Sequence, residues 1–418
     1  MDKMKKVLMV AFHYPPFSGG SGVHRTLKFT RYLPQFGWQP IVLTASRQAY
    51  RSQLNGQREI PHGIEIARAF ALDTKRHLSF RGKYLQSLAL PDQWISWWPS
   101  AVAVGLTLIR RHRPKVIWST YPIATAHLIA LTLHRLTGIP WVADFRDPMT
   151  DTDPQTGQEY PLDPRIRQAN RWIEVPTIKH CARAVVTTQG TLSMYVDRFR
   201  AIPEKRWTVI PNGYDEEDFA AAEREVLPRT SKGNPATFVH SGLLYPHARD
   251  PKSFFTALAD LRRTRAISAS AVKIILRATG YDDFYRQQIR DYGIEDIVFL
   301  EPPIPYREAL VEMLSADGLL LFQGSSCNMQ IPAKLYECLR AQRPIFAMTD
   351  PAGDTAAVLR SEGMEFVVSL DCKQEIAENF MRFLSAGNGR QDRRSPDRHS
   401  RKTRTRELAA LLSSVVTT

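Results

Sequence analysis

The feature that most constrains the fold is a short apolar run, rich in β-branched residues, that recurs along the chain and is followed each time by a helical pattern. Such runs predict strands over 7–11, 40–44, 116–119, 141–144, 184–188 and 208–210. They are continuously apolar, which is typical of strands buried on both faces of a parallel sheet. Helical patterns over 23–36, 99–111 and 124–137 lie between them, and Gly37 and Gly138 stand where helix C-caps belong. The alternation predicts a doubly wound α/β domain.

The same alternation starts again after a polar stretch over 214–235, which predicts a linker. Strands are then expected over 237–241, 272–278, 297–300, 318–322, 344–348 and 365–369, with helices over 254–265, 281–292, 307–314, 333–340 and 355–361. A chain of 418 residues suits two domains of about 200 residues each. We therefore expect an N-terminal domain over 1–213, the linker over 214–235, a C-terminal domain over 236–385, and a basic tail with a C-terminal helix over 386–418.

Charge and composition restrict the class of protein. The net charge of +14 indicates an anionic partner. Residues 386–407 carry eight Lys/Arg against three Asp/Glu, which predicts a solvated tail, with membrane binding as the alternative. The four cysteines form no metal-ligand spacing and favour a reducing compartment. The N-terminal apolar run is too short for a signal peptide, and no run reaches the roughly 20 apolar residues of a membrane span, so we expect a cytoplasmic protein.

A glycine-rich loop follows the first strand, with the sequence HYPPFSGGSG over 13–22. Gly19, Gly20 and Gly22 allow a ligand to approach the backbone closely, and the N-terminus of the next helix attracts anions. The dinucleotide fingerprint GxGxxG is not present. Taken alone, the loop is explained equally well by close packing.

Further segments follow in order: WVADFRDP over 141–148, VIPNGYD over 209–215, HSGLLY over 240–245, IPAKLYE over 331–337 and DPAGDT over 350–355. With the HYPP start, their order and spacing over residues 5–370 resemble the retaining glycosyltransferases of the family-4 type. The resemblance implies the α/β fold called GT-B, in which two Rossmann-like, doubly wound domains face each other across a cleft. It also implies transfer of a sugar from a nucleotide-diphosphate sugar to an acceptor, with retention of anomeric configuration.

The resemblance assigns the donor site to the C-terminal domain. Lys334 would act on the diphosphate from the first turn of a helix, with Arg249 as a second cation, and Glu337 would accept hydrogen bonds from the ribose. The alternatives are a surface lysine paired with Glu337, and an Arg249–Asp250 pair. The expected donor-binding residues are Gly19, Gly20, Gly242, Arg249, Gln330, Lys334 and Glu337. Met329 stands where the family often has a second glutamate, for which Gln330 or Asn328 would substitute.

The acceptor side is expected in the N-terminal domain. Arg146 and Asp147 stand where the family commonly has a histidine; Arg146 would stabilise the leaving phosphate and Asp147 would orient the acceptor. The alternative is a structural Arg–Asp pair. The residues His13, Ser21 and Asp144 are expected to bind the acceptor. Catalysis is thus assigned to Arg146, Asp147, Arg249 and Lys334, with no metal and no cofactor, since the nucleotide-sugar is a substrate.

The acceptor implied by the resemblance is a glycan or glycolipid of surface-polysaccharide assembly in the cell envelope. Trp94, Trp97 and Trp98 precede a helix that ends in basic residues, which suits peripheral contact with an anionic membrane, at the inner face of the plasma membrane, or equally a packed helix. Two other enzyme-fold interpretations stay open: a nucleotide-sugar epimerase, and a catalytically inactive GT-B binding protein. A nucleic-acid partner is not expected, because no binding module is recognisable.

Overall fold

The computed structural model describes residues 4–17, 20–50, 60–153, 156–227, 235–246, 248–386 and 396–417. The chain divides into two compact units. The first consists of Met1–Asn212 together with Arg401–Thr418, and the second of Gly213–Ser400. Each unit is an α/β structure built around its own parallel sheet.

The elements alternate along the chain as the apolar pattern predicts. Up to residue 212 they are β1 (Lys5–Val10), α1 (Gly20–Tyr32), β2 (Trp38–Ala45), β3 (Glu65–Ala69), α2 (Thr74–His77), α3 (Trp97–His112), β4 (Val116–Thr120), α4 (Ala124–Thr137), β5 (Trp141–Arg146), β6 (Asp151–Thr152), β7 (Glu159–Tyr160), α5 (Pro164–His180), β8 (Arg183–Val186), α6 (Gln189–Arg198) and β9 (Trp207–Val209). From residue 213 they are α7 (Glu216–Glu223), β10 (Ala236–Ser241), α8 (Lys252–Arg263), β11 (Val272–Arg277), α9 (Asp282–Asp291), β12 (Val298–Glu301), α10 (Tyr306–Ser315), β13 (Gly318–Gln323), α11 (Ala333–Ala341), β14 (Ile345–Thr349), α12 (Asp354–Ser361), β15 (Val367–Val368), α13 (Lys373–Ser385) and α14 (Arg401–Val416).

The six strands of the second sheet follow the same order as the first six of the first sheet, which has a seventh. Within the described residues, the first sheet runs β3-β2-β1-β4-β5-β8-β9 and the second runs β12-β11-β10-β13-β14-β15, all parallel. In each unit the first strand lies in the middle, and the order reverses beside it, between β1 and β4 or between β10 and β13. Ligands of such sheets bind at the carboxyl ends of the strands on either side of this switch point. The topology therefore places a candidate site at one position in each unit.

The strand β3 and the small β6–β7 pair were not predicted. The β3 sequence EIARA contains a carboxylate and a guanidinium and does not form a continuous apolar run. It pairs in parallel with β2, with Val42 opposite Ile66. An edge strand needs fewer apolar residues than a central one, so its pattern is weak in the sequence.

The C-terminal helix departs from the expected separate segment. Helix α14 packs against α1 and places Leu408 and Leu412 in one apolar cluster with Val7 and Trp118. Trp38 also donates from Nε1 to Ser413 Oγ at 3.2 Å. The prediction of a solvated tail is wrong for residues 401–407, where the helix is partly buried; residues 387–395 lie outside the described part of the chain.

The expected linker contains structure. Helix α7 begins after Asp215, whose side chain accepts from the backbone N–H of Asp218. The guanidinium of Arg340 lies over the ring of Phe219 at 5.2 Å and pairs with Glu216 and with Glu223, the latter at 3.0 Å. Residues 214–227 therefore belong to the second unit, and residues 228–234 lie outside the described ranges.

The tryptophans before α3 pack inside the first unit. Trp97 is fully buried, Trp94 donates to Ala49 O at 3.2 Å, and Trp98 donates to Thr132 Oγ1 at 3.0 Å. This arrangement favours the packed-helix interpretation over a membrane-facing one for these side chains. No helix in the described ranges has the length and apolar character to cross a membrane.

Candidate active site

The switch point of the second unit brings β10 and β13 together with the start of α11. Next to the end of β10, Gly242 has φ +145°, a conformation that favours glycine. A Cβ atom built at Gly242 would lie 3.9 Å from Lys334 Cε. The backbone after β10 thus comes directly beside the lysine that the sequence assigns to the diphosphate.

Lys334 is the second residue of α11, and its ammonium belongs to a small polar cluster. Its Nζ lies 2.9 Å from Glu337 Oε2, and Tyr306 Oη donates to Glu337 Oε1 at 2.8 Å. Burial tends to lower the pKa of Lys334, but the attraction of Glu337 outweighs it and the pKa is raised. Lys334 therefore carries its charge at the N-terminus of a helix, where an anion is favoured. Without a ligand, the pair with Glu337 that the sequence left as the alternative does form.

Arg249 is held through its Nε. Its Nε donates to Gln323 Oε1 at 3.1 Å, and its guanidinium lies 5.6 Å from the ring centroid of Tyr245. The alternative pair with Asp250 does not form; Asp250 accepts instead from Lys252 N at 3.1 Å. Among the described residues Arg249 makes no ion pair, so its two terminal nitrogens suit an anionic group such as a phosphate.

Gln323, the last residue of β13, fixes the loop that leads to α11. Its Nε2 donates to Cys327 O at 3.1 Å and to Gln330 O at 3.3 Å. The Asn328 side chain is bound to Asp350 through a 2.6 Å hydrogen bond. The Asn328 side chain is thus engaged with Asp350. The substitution of Gln330 or Asn328 for a glutamate stays a prediction.

His240 lies in the middle of this cluster. Its Nδ1 is 3.0 Å from Leu320 O, across the switch point. Burial, with the charges of Lys334 and Arg249, lowers the pKa of His240 to about 4. The imidazole is therefore neutral at pH 7, and the charges of Lys334 and Arg249 both disfavour its protonation. The structure thus brings Gly242, Arg249, Lys334 and Glu337 together, with Gln330 on the adjoining loop.

The first unit shows a second arrangement at its own switch point. A Cβ atom at Gly22, in the first turn of α1, would lie 2.6 Å from Arg146 Nη1 and 2.8 Å from His13 Nδ1. Arg146 Nη1 also donates to Tyr121 O, after β4, at 3.2 Å. The glycine thus leaves room for two predicted site residues to meet beside the helix start. Gly19 lies outside the described residues, and for Gly20 and Ser21 only their place at the start of α1 is described.

The backbone of Arg146 has the left-handed conformation, with φ +58°, at an irregularity of the β5–β8 pairing. Thr187 Oγ1 holds this residue by donating to Arg146 O at 2.6 Å. Burial lowers the pKa of Arg146, while Asp147 and Asp144 counteract this. A strained backbone conformation persists only where the surrounding structure stabilises it, and such residues cluster at functional sites.

His13 stacks on Phe17, with ring centroids 4.7 Å apart. Burial, and then the charge of Arg146, lower its pKa to about 3. A neutral imidazole beside a guanidinium offers one donor and one acceptor to a polar ligand. Asp147, half-buried next to Arg146, adds a carboxylate.

Asp144 has a different environment from the other predicted acceptor residues. Its side chain is fully buried, and Arg25 donates to its two oxygens at 2.8 and 3.1 Å. Arg25 also donates to Ile210 O and Pro211 O, both at 2.9 Å. Asp144 therefore connects α1, β5 and the Pro-Asn-Gly segment, which favours an organising role over direct contact with an acceptor.

Residues that the sequence reasoning did not single out complete the candidate site: Arg25, His240, Tyr306 and Gln323. Polar residues near the end of buried strands gave a usable signal for His240 and Gln323, since the strands read ATFVHS and GLLLFQ. The sequence contains no comparable signal for Arg25 or Tyr306, because each binds a carboxylate far away in the sequence.

The first unit is similar to a known protein family. Residues 19–213 match the model of a glycosyl transferase 4-like domain. The matched region spans most of the first unit and includes Gly22, Asp144 and Arg146. The match supports a family-4-like glycosyltransferase. A search of curated protein sequences found no match.

Solved structures resemble the whole chain. Sucrose-phosphate synthase from Thermosynechococcus elongatus has a TM-score of 0.63 at 13% identity, covering 99% of this chain and 96% of its own. A trehalose-phosphate synthase from Burkholderia xenovorans, in complex with glucose-6-phosphate, has a TM-score of 0.65 at 12% identity. The match covers 98% of this chain and 100% of the synthase chain. HepE from Anabaena, in complex with UDP and glucose, has a TM-score of 0.60 at 16% identity. The match covers 98% of this chain and 100% of the HepE chain. At these identities the likeness shows the fold, which is GT-B, as expected.

Proposed function

We propose that this protein is a glycosyltransferase that moves a sugar from a nucleotide-diphosphate sugar to an acceptor. The observation that carries the proposal is the meeting of Lys334, Arg249 and Gly242 at the switch point of the second unit. A diphosphate leaving group gains negative charge as the sugar departs. Two cations and a helix N-terminus stabilise that charge without a metal ion.

The roles of the donor-site residues follow from their contacts. Lys334 exchanges its partner Glu337 for a phosphate oxygen, and Arg249 offers its terminal nitrogens while Gln323 keeps its Nε in place. Glu337 then accepts from the ribose hydroxyls, with Tyr306 still donating to its other oxygen. Gly242 allows the phosphates to approach the backbone.

The acceptor is assigned to the first unit, beside His13, Arg146 and Asp147. The neutral His13 suits hydrogen bonding to a hydroxyl, and Arg146 suits an anionic group. Transfer proceeds with retention in this proposal: the acceptor attacks on the face the leaving group departs from, and a phosphate oxygen of the donor takes its proton. No carboxylate pair is then needed.

The finer features of the proposal concern substrates and setting. UDP and glucose are bound to HepE, and glucose-6-phosphate to the trehalose-phosphate synthase, so a UDP-hexose is the first donor to try. The proposed acceptor is a lipid-linked sugar or a growing polysaccharide of the cell envelope, consistent with the net charge of +14.

Release of nucleotide diphosphate tests the proposal directly. The purified protein is given UDP-, GDP- and ADP-sugars in EDTA, with and without lipid-linked or oligosaccharide acceptors. We expect acceptor-dependent release of one diphosphate, and a kcat/KM lower by about 10²–10³ in Lys334→Gln. Lys373→Gln, which alters another paired lysine of the second unit, is the matched control.

Two outcomes would overturn the proposal. Conversion of the donor to an isomer at a rate that no acceptor changes would identify an epimerase. Absence of turnover and of nucleotide binding would identify an inactive relative.

A further inference from the structure

Residues 75–88 of the first unit form an exposed surface in which apolar and basic side chains are interleaved. Phe80 is 77% exposed and Leu85 is 69% exposed, with Leu78 and Leu88 also exposed. The same segment contains Lys75, Arg76, Arg81 and Lys83, and its sequence contains no Asp or Glu. Large apolar side chains of this kind usually lie in a core, so their clustering at the surface indicates an interaction site.

A tight turn presents the most exposed side chain. Phe80 and Lys83 exchange backbone hydrogen bonds of 2.8 and 3.0 Å. The two residues between them have positive φ, +50° at Arg81 and +76° at Gly82, which is the type I′ turn of a two-residue hairpin. The guanidinium of Arg81 lies 5.5 Å from the ring of Phe80. The turn therefore projects an aromatic ring and two cations together.

The base of the segment is anchored in the unit. Thr74 N donates to Gln93 O at 2.9 Å, and Thr74 Oγ1 donates to Leu88 O at 2.7 Å. Asp73 is buried and accepts from Lys75 N at the start of α2. Ala89 is buried. Phe80 and Leu85 are therefore exposed on a segment whose base is held by hydrogen bonds.

Helix α5 extends the surface. Gln86 Nε2 donates to Asp163 Oδ2 at 3.1 Å, and Arg165 donates to Gln86 Oε1. Trp172, which is 67% exposed, lies seven residues after Arg165 and so on the same helix face, about 10 Å along the axis. Asp163 itself caps α5 by accepting from Arg165 N at 2.8 Å. The basic-apolar surface is defined as residues 75–88 together with Leu162, Arg165 and Trp172.

We infer that the basic-apolar surface docks on an anionic lipid bilayer. Aromatic and leucine side chains enter the boundary between headgroups and acyl chains, and Lys and Arg pair with anionic headgroups. Lysine is depleted in protein interfaces, whereas Lys75 and Lys83 lie in the segment that exposes Phe80 and Leu85. The inference rests on this surface alone and does not depend on the donor site.

Vesicle co-sedimentation tests the inference with the full chain. We expect binding to vesicles of phosphatidylglycerol and phosphatidylcholine at low salt, weaker binding at 0.5 M salt, and little binding to pure phosphatidylcholine. The variant Phe80→Ser should lower the partition coefficient about tenfold. Arg81→Gln and Lys83→Gln should each lower it about fivefold.

Leu136→Ser is the matched control, because Leu136 is an exposed leucine of the same unit, on α4, and it should bind vesicles like the native chain. Equal binding of Phe80→Ser and native protein would overturn the inference, as would no binding to anionic vesicles. Self-association of the native chain that Phe80→Ser abolishes, without vesicle binding, would identify a protein interface and also overturn it. Since the readout is lipid binding, its failure is distinct from a failure of sugar transfer.

Discussion

Arg25 and Asp144 form an ion pair that is buried on both sides, with Arg25 Nε 2.8 Å from Asp144 Oδ2. The guanidinium also satisfies the carbonyl oxygens of Ile210 and Pro211. The pair therefore joins helix α1 to strand β5 and to the chain at Ile210 and Pro211. The positions of several predicted acceptor residues depend on it.

Asp144→Asn should reduce the free energy of unfolding of the first unit by about 3–5 kcal/mol, because it leaves the guanidinium buried without a counter-charge. Urea denaturation measures the change. Arg111→Gln breaks the exposed pair with Glu65 and should change stability by less than about 1 kcal/mol. A change of similar size in both variants would contradict the organising role of Asp144.

Gly22→Ala should lower transfer activity by about 10² and the free energy of unfolding by about 1–3 kcal/mol, because it overpacks a buried site. The added methyl group would lie 2.6 Å from Arg146 Nη1 and 2.8 Å from His13 Nδ1, so both side chains must move. The check is kcat/KM at several acceptor concentrations beside the melting temperature. Full activity of Gly22→Ala would show that the meeting of His13 and Arg146 is not part of the acceptor site.

His127 should make stability depend on pH. Trp141 donates to Ser119 Oγ, which in turn lies 2.7 Å from His127 Nδ1, and burial lowers the pKa of His127 to about 3. The unfolded chain binds the proton below about pH 6.5, so each pH unit from there down to the folded pKa costs about 1.4 kcal/mol.

The variant His127→Leu tests this dependence. Native protein loses stability as pH falls from 6.5, and the variant should lose less per pH unit, so the two curves of unfolding free energy converge toward acid. Urea denaturation from pH 7.5 to pH 4.5 measures both. Parallel curves would contradict a neutral, buried His127.

Gln323→Met should weaken nucleotide binding about tenfold, because Arg249 loses its anchor and two loop carbonyls lose their donor. Titration calorimetry with the nucleotide that the native chain binds measures the change. An unchanged Kd would contradict the assignment of Arg249, held by Gln323, to the donor site. The exposed Gln374→Met, at the start of α13, is the control.

The sequence predicted the strands that lie at the centre of each sheet, because their apolar runs are long and continuous. It did not predict α7 or β3, in which charged residues interrupt the apolar ones. Helix α7 is stabilised by the Arg340 contacts and β3 by pairing with β2. It also treated 401–407 as tail, because the residues that are buried there, Arg401, Arg404 and Thr405, are polar.

For the candidate site, motifs located Lys334, Glu337 and Arg249 in the chain but did not give their contacts. Whether Lys334 pairs with Glu337, and whether Arg249 pairs with Asp250, depends on geometry that spacing alone leaves open; the first pair forms and the second does not. The roles of these residues in transfer stay a prediction.

The central claim is that Lys334 holds the diphosphate of the donor, and a thermal-shift titration tests it most directly. The native chain, Lys334→Gln and Lys373→Gln are each titrated with UDP, GDP, ADP and CDP in EDTA. At 100 times its Kd, one nucleotide should add about 2.7 kcal/mol of stability to the native chain and to Lys373→Gln, but not to Lys334→Gln at the same concentration. Equal stabilisation of all three proteins, or of none at millimolar concentration, would contradict the claim.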